Sequence, residues 1–166
     1  MQIPSEKKLV CVTGSVWTGS RSAPRRMLVK DGFRRPNWFT TGRPMTHAHY
    51  RQISSTQFHL ARARKKVVAH LAYRGSHIGV MRDDFETAMA AAKLGVLIVG
   101  PPEIAAQIAA VSPRALVFSL KDQGMDLSEH LAQAQDNGQL HRIDVDVLAP
   151  GAWTQVHDVM AEIIGF

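Results

Sequence analysis

Short apolar runs alternate with amphipathic stretches along most of the chain. Residues 8–13, 96–99 and 115–120 are apolar at nearly every position, a pattern typical of strands that are buried on both faces. Residues 143–147 are a further strand candidate, either in the core or at an edge. Helices are predicted at about residues 21–31, 83–93, 104–111, 128–135 and 152–164. This rhythm predicts an α/β fold with a parallel sheet and right-handed crossovers.

Between about residues 35 and 80 the rhythm gives way to shorter, β-rich elements. Extended pieces are predicted around residues 38–41 and 50–53, and a helix capped by Ser54 or Ser55 runs to Lys65. Two further extended segments flank the turn Arg74-Gly75-Ser76, so a hairpin is predicted there. We therefore expect a single domain spanning residues 1–166 with a small β-rich insert at 35–80.

The charges are divided unequally between the two halves of the chain. The net charge is +6, but residues 1–82 hold 16 of the 20 Lys and Arg and two acids, a balance of +14. Residues 83–166 hold 4 basic and 12 acidic residues, a balance of −8. A surface that carries charges of one sign raises the local concentration of partners with the opposite charge. The N-terminal half is therefore expected to bind a phosphorylated ligand, a nucleic acid or an acidic protein surface, although no nucleic-acid-binding motif is present.

Several function classes are disfavoured by composition. No apolar run approaches the roughly 20 residues of a membrane span, and the N-terminus lacks the apolar stretch of a signal peptide. The lone cysteine, Cys11, falls inside a predicted strand, so the sequence offers no disulfide framework and no metal-ligand cluster. We expect a cytoplasmic protein with no metal site and no membrane partner.

The first strand leads into a loop with the glycine spacing of a phosphate-binding loop, or P-loop. In a working P-loop, backbone N–H groups surround the phosphates, a lysine holds the terminal ones and the next hydroxyl binds Mg²⁺. Ser20 stands where the lysine belongs, so the Walker A motif is degenerate. Arg21-Ser22 would replace Lys-Ser if the loop holds one extra residue, which makes Arg21 the candidate catalytic residue. The candidate loop residues are Gly14, Gly19, Ser20, Arg21 and Ser22.

The order of motifs along the chain resembles guanylate kinase. The P-loop-like start is followed by Thr40-Thr41-Gly42-Arg43-Pro44, by residues 49–58 and 75–79, and by a helix and the strand at 95–99. The resemblance extends over about residues 8–120, and residues 53–100 are also similar to ribose 1,5-bisphosphate phosphokinases. It implies a parallel sheet of the nucleoside-monophosphate-kinase type with a P-loop, an acceptor-binding insert and a lid over the phosphate donor.

Several functional positions of the family hold different residues in this chain. The arginine that follows the family's Thr-Thr pair is replaced by Gly42, with Arg43 one place later, whereas Tyr50 falls at the phosphate-binding tyrosine. The resemblance places the guanine-reading glutamate near Ala69 and the acid that serves Mg²⁺ at Gly100. The tyrosine and serine of the family's Tyr-Gly-Ser signature become Ile78 and Val80.

The expected lid is reduced as well. Residues 121–141, where the family places several arginines, hold Lys121 as the one lysine or arginine, together with four acids. An acidic lid repels a nucleoside triphosphate, and the loss of an arginine of this kind costs on the order of a thousandfold in rate.

The sequence is compatible with three functions. We favour a guanylate-kinase-like protein that binds a phosphorylated small molecule or a phosphorylated protein without efficient phosphoryl transfer, and for which the sequence indicates no definite cofactor. Its anion-binding residues would be Arg43, Tyr50, Arg35 and Arg51. The first alternative is an active kinase, a transferase that uses ATP and Mg²⁺ to phosphorylate a nucleoside monophosphate or a sugar phosphate. The second alternative is a nucleic-acid-binding protein that uses the basic N-terminal half.

Overall fold

Two sheets organise the chain. The structure, a computed structural model, describes residues 3–14, 22–43, 50–121, 128–146 and 148–166. The strands are β1 (Lys8–Gly14), β2 (Phe33–Arg34), β3 (Trp38–Thr40), β4 (Tyr50–Gln52), β5 (Val67–Tyr73), β6 (Ser76–Met81), β7 (Gly95–Val99), β8 (Leu116–Lys121) and β9 (Leu140–Asp144). The helices are α1 (Ser22–Asp31), α2 (Ser55–Ala63), α3 (Arg82–Ala91), α4 (Pro102–Val111), α5 (Ala132–Asp136) and α6 (Ala152–Ile164), with a 3-10 turn at Ser128–Leu131 before α5.

The core sheet is five-stranded in the order β2-β7-β1-β8-β9, and all of its pairs are parallel. Successive residues of a strand point to opposite faces, so Leu9 and Cys11 pack on one side of β1 and Val10 and Val12 on the other. Helices α3 and α4 cover the first face, and α1 and α6 cover the second. The predicted α/β fold with a parallel sheet is confirmed.

The last core strand lies earlier in the chain than its predicted position. β9 spans 140–144 rather than 143–147, and among the described residues it is an edge strand, paired with β8. Gln139 anchors the start of β9. It is 4% exposed, and its side-chain amide donates to the carbonyls of Ala109, Ser112 and Ala115. An edge strand tolerates polar residues such as His141 and Arg142, so the apolar alternation at 143–147 was a poor guide to its start.

The predicted β-rich insert forms a second sheet in the order β4-β3-β6-β5. Its β5–β6 hairpin is antiparallel as predicted, and β3 pairs in parallel with β4. Helix α2 covers the sheet with Phe58, whose ring lies 5.5 Å from that of Phe39. The predicted serine cap is confirmed, because Ser54 Oγ accepts from Gln57 N and the Gln57 side chain accepts from Ser54 N.

A side-chain amide joins the two layers. Gln107 on α4 accepts from the backbone N–H of His70 at 2.9 Å and donates to the His70 carbonyl at 2.7 Å. It thus pairs with His70 on the edge of β5 in the way that a residue of a neighbouring strand would. The insert is thereby held at a defined position beside the core sheet.

Candidate anion-binding site on the insert

A pocket of about 170 Å³ opens between β3, β4 and the β5–β6 hairpin. Its lining residues are Thr40, Arg43, Tyr50, Tyr73, Arg74, Ser76 and Ile78. Two of these carry guanidinium groups and four carry hydroxyl groups, so most of the lining can donate hydrogen bonds. Such a lining suits an anion with several acceptor oxygens.

The register of the insert sheet brings the pocket residues together. Thr40 pairs with Ile78 across β3 and β6, and its Oγ1 accepts from Gly42 N at 3.1 Å, which turns the chain after the strand. A Cβ at Gly42 would overlap Ser76 Oγ. A side chain at the position after the Thr-Thr pair would therefore require Ser76 to move, and the side chain that reaches the pocket is that of the next residue, Arg43.

The hairpin turn supplies a second arginine. Tyr73 pairs with Ser76, so the loop consists of Arg74 and Gly75 alone, and both have left-handed backbones with φ of 48° and 76°. Left-handed backbone costs a non-glycine residue about 1–2 kcal/mol. The conformation places the Arg74 guanidinium 5.2 Å from the centre of the Tyr73 ring, at the pocket. Arg74 and Tyr73 were not among the anion-binding residues predicted from the sequence, although the short hairpin loop was a signal for their position.

No carboxylate neutralises the two pocket arginines within the described part of the chain. The ion pairs found there are Arg51–Asp84, His130–Glu103, His157–Asp31 and His157–Asp158. Residues 44–49, which follow Arg43, contain no acidic residue. The pocket therefore combines two guanidinium groups with no matching negative charge, a balance that favours an anionic ligand.

An indole covers the carboxyl end of β7. Gly100 follows this strand and donates from its backbone N–H to the carbonyl of Val12 at 3.2 Å. A Cβ at Gly100 would lie 2.8 Å from Cη2 of Trp38, which is 8% exposed. The Trp38 ring also lies 6.0 Å from the ring of Tyr50 in the pocket. Trp38 therefore links the edge of the core sheet, where α/β proteins commonly bind ligands, to the insert pocket.

A solved structure with the same architecture is the guanylate kinase from Anaplasma phagocytophilum. The likeness covers 98% of this chain and 86% of that chain, with a TM-score of 0.65 and 12% sequence identity. The fold is guanylate-kinase-like. No protein-family model and no curated protein sequence matches the chain.

Within this guanylate-kinase-like fold, the predicted anion-binding residues separate into different places. Arg43 and Tyr50 line one pocket. Arg51 is next to Tyr50 in β4 but is absent from the pocket lining, and its guanidinium donates to Asp84 at 3.0 Å. Arg35 follows β2, outside the pocket, where burial and then the charge of Arg25 lower its pKa.

The predicted P-loop is described at its two ends. Gly14 is the last residue of β1, and Ser22 is the first residue of α1, as a strand–loop–helix unit requires. Gly19, Ser20 and Arg21 lie outside the described residues, as do residues 122–127 of the predicted lid.

The remaining chemical groups of interest are the metal-ligating side chains and the lone thiol. Over the described ranges no three His, Cys, Asp or Glu side chains are grouped so as to hold a metal ion, and no helix is long and apolar enough to cross a membrane. Burial raises the pKa of the Cys11 thiol to about 12, so this residue is a neutral core side chain at ordinary pH.

Proposed function

We propose that this guanylate-kinase-like protein binds a phosphorylated small molecule or a phosphorylated protein in the insert pocket, without efficient phosphoryl transfer. The observation that carries the proposal is the meeting of Arg43 and Arg74 in one pocket that has no carboxylate partner in the described residues. Each charge-assisted hydrogen bond to a phosphoryl oxygen contributes roughly 1.5–3 kcal/mol. The two arginines and the Tyr50 hydroxyl are the groups that we expect to contact a phosphomonoester.

The surroundings of the pocket argue against guanine as the recognised group. Ala69, at the position that the resemblance gives to the guanine-reading glutamate, is 1% exposed and belongs to the hydrophobic core. Ile78, at the signature tyrosine, adds an apolar side chain to the lining. A site without its hydrogen-bonding acid loses much of its discrimination between ligands. The phosphoryl group is therefore the part of the ligand that we expect this pocket to recognise.

Weak phosphoryl transfer is inferred from the donor side. Ser20 replaces the P-loop lysine in the sequence, and Gly100 lies under the Trp38 indole where the resemblance expects an acid for Mg²⁺. The missing lysine, directly, and the missing acid, through Mg²⁺, would both act on the charge that develops on the transferred phosphoryl group. We expect ATP with Mg²⁺ to bind with a dissociation constant above the micromolar range.

Titration calorimetry tests the proposal with GMP, ribose 5-phosphate, a phosphoserine peptide and ATP with Mg²⁺ as ligands. Arg43→Ala, Arg74→Ala and Tyr50→Phe should each weaken binding of the best phosphorylated ligand about tenfold or more, by the loss of one such bond. Arg51→Ala is the matched control, because Arg51 is the next residue along β4 but pairs with Asp84. Unchanged affinity in the Arg43 and Arg74 variants would contradict the proposal.

The kinase alternative has the guanylate-kinase-like fold in its favour and requires Arg21 to replace the missing lysine. ADP production by the wild type and by Arg21→Ala, over the same phosphorylated acceptors, separates the two functions. We expect no clear turnover in either protein. Turnover in the wild type that vanishes in Arg21→Ala would establish the kinase.

A further inference from the structure

A groove on the insert is not used by the proposed function. It lies between α2 and the junction of β6 with α3, and its volume of about 330 Å³ is nearly twice that of the anion pocket. Three of its lining residues are apolar, and Leu60 among them is 48% exposed. These apolar residues are Leu60, Ala61 and Met81. The groove can therefore accept an apolar side chain from a partner.

Cations border the apolar part of this groove. Arg64 and Lys66 line it, are exposed and make none of the ion pairs found in the described residues. They belong to a run, residues 62–66, in which four of five residues are basic. Asp83 is the one acid in the lining, and no aromatic residue is present there. Single-stranded nucleic acid is typically bound by aromatic stacking surfaces along a continuous basic groove, whereas cations beside apolar side chains suit a peptide with carboxylates near an apolar residue.

The same chain displays such a peptide after β9. Leu148 is 90% exposed, the highest value among the exposed large hydrophobic residues that the structure describes. Its backbone N–H donates to Asp146 Oδ1 at 3.1 Å, which fixes the turn that presents it. Asp144 and Asp146 are exposed and take part in none of the described ion pairs. An exposed apolar side chain thus follows two unneutralised carboxylates, at two and four residues along the chain.

We propose that the acidic loop of one copy, which carries Asp144, Asp146 and Leu148, docks into the basic groove of a second copy. The two surfaces belong to different sheets, since the groove lies on the insert and β9 is an edge strand of the core sheet. Each copy offers both surfaces, so the contact is heterologous and joins copies head to tail. The balance of +14 in residues 1–82 against −8 in residues 83–166 favours this orientation. The inference is independent of the proposed function.

Sedimentation velocity over a range of protein concentrations tests this contact at 50 and 500 mM salt. The wild type should associate at low salt and dissociate at high salt, because the screening length shortens from about 10 Å at 0.1 M to about 3 Å at 1 M. Lys66→Glu, Asp144→Lys and Leu148→Ser should each raise the dissociation constant for self-association at least tenfold. Lys30→Glu and Asp136→Lys, exposed charge reversals outside both surfaces, should leave it within twofold of the wild type.

A mixing experiment separates the contact from misfolding. Lys66→Glu and Asp144→Lys should each be monomeric alone, whereas an equimolar mixture should associate at low salt, because each groove then meets a loop of opposite charge. A wild type that stays monomeric, a mixture that fails to associate, or variants that associate like the wild type would overturn the inference. Binding of a fluorescent oligonucleotide that is lost in Lys66→Glu, with self-association unchanged, would assign the groove to nucleic acid and also overturn it.

Discussion

Replacement of Gly100 by alanine tests whether the Trp38 indole closes the carboxyl end of β7. The added Cβ would lie 2.8 Å from Cη2 and 3.3 Å from Cζ2 of Trp38, whereas carbon atoms in ordinary contact are about 3.5–4.0 Å apart. The indole must therefore move by roughly 0.7 Å, although it is 8% exposed and packed in the core. Overpacking of this kind costs about 1–3 kcal/mol.

The backbone contributes in the opposite direction. Gly100 does not have the left-handed conformation that disfavours alanine, so the substitution also restricts the unfolded chain, which stabilises the fold by about 0.4–1 kcal/mol. We expect a net loss of roughly 1–2 kcal/mol in the free energy of unfolding.

Urea denaturation of a double-mutant cycle measures this clash directly. The atoms nearest to the added Cβ are Cη2, Cζ2 and Cζ3, all in the outer ring of the indole, and phenylalanine is too short to reach as far. In a Trp38→Phe background only the backbone gain remains, so Gly100→Ala should be neutral or stabilising by up to about 1 kcal/mol, which gives a coupling of about 1–3 kcal/mol. An equal cost of Gly100→Ala in both backgrounds would refute the claim that Trp38 occupies this space.

Three further outcomes are expected. Arg114 donates to four carbonyls of the N-terminal segment at Ile3–Lys7, so Arg114→Lys should speed tryptic cleavage after Lys7, and an unchanged cleavage rate would rule this anchor out. Gln107→Leu should lower the free energy of unfolding by about 1–3 kcal/mol in urea denaturation, because the N–H and carbonyl of His70 lose their partners; a neutral effect would contradict the link between the two layers. Burial, and then the charges of Arg62 and His77, lower the pKa of His70 below its usual 6.5, so the unfolded chain binds more protons and stability should fall as the pH drops through 6.5. Urea denaturation from pH 8 to 5 should show that the free energy of unfolding depends less steeply on pH in His70→Asn than in the wild type. An identical pH dependence in the two proteins would exclude His70 as its cause.

Local pattern was enough to predict most elements of the core. The apolar runs at 96–99 and 115–120 are core strands, and α6 has the predicted bounds of 152–164. The cap at Ser54 was also recognisable, because capping depends on residues three apart in the chain. These features arise from periodicity and neighbouring residues, so the sequence alone contains their causes.

The composition of the candidate site depended on contacts between distant segments. The sequence indicated Arg43 and Tyr50, but only the strand register showed that Arg74 and Tyr73 line the same pocket. The resemblance likewise showed that an acid is missing at Gly100 without showing what lies there.

Side-chain pattern and charge along the chain were sufficient to predict an α/β fold with a parallel sheet, a β-rich insert and a basic N-terminal half. Packing between distant segments sets which arginines share a pocket, pairs Arg51 with Asp84 outside it, and places Trp38 over Gly100. The two groups of features differ because side-chain period and capping act over a few residues, whereas pocket lining and steric exclusion depend on the register between strands and on the packing of one sheet beside another.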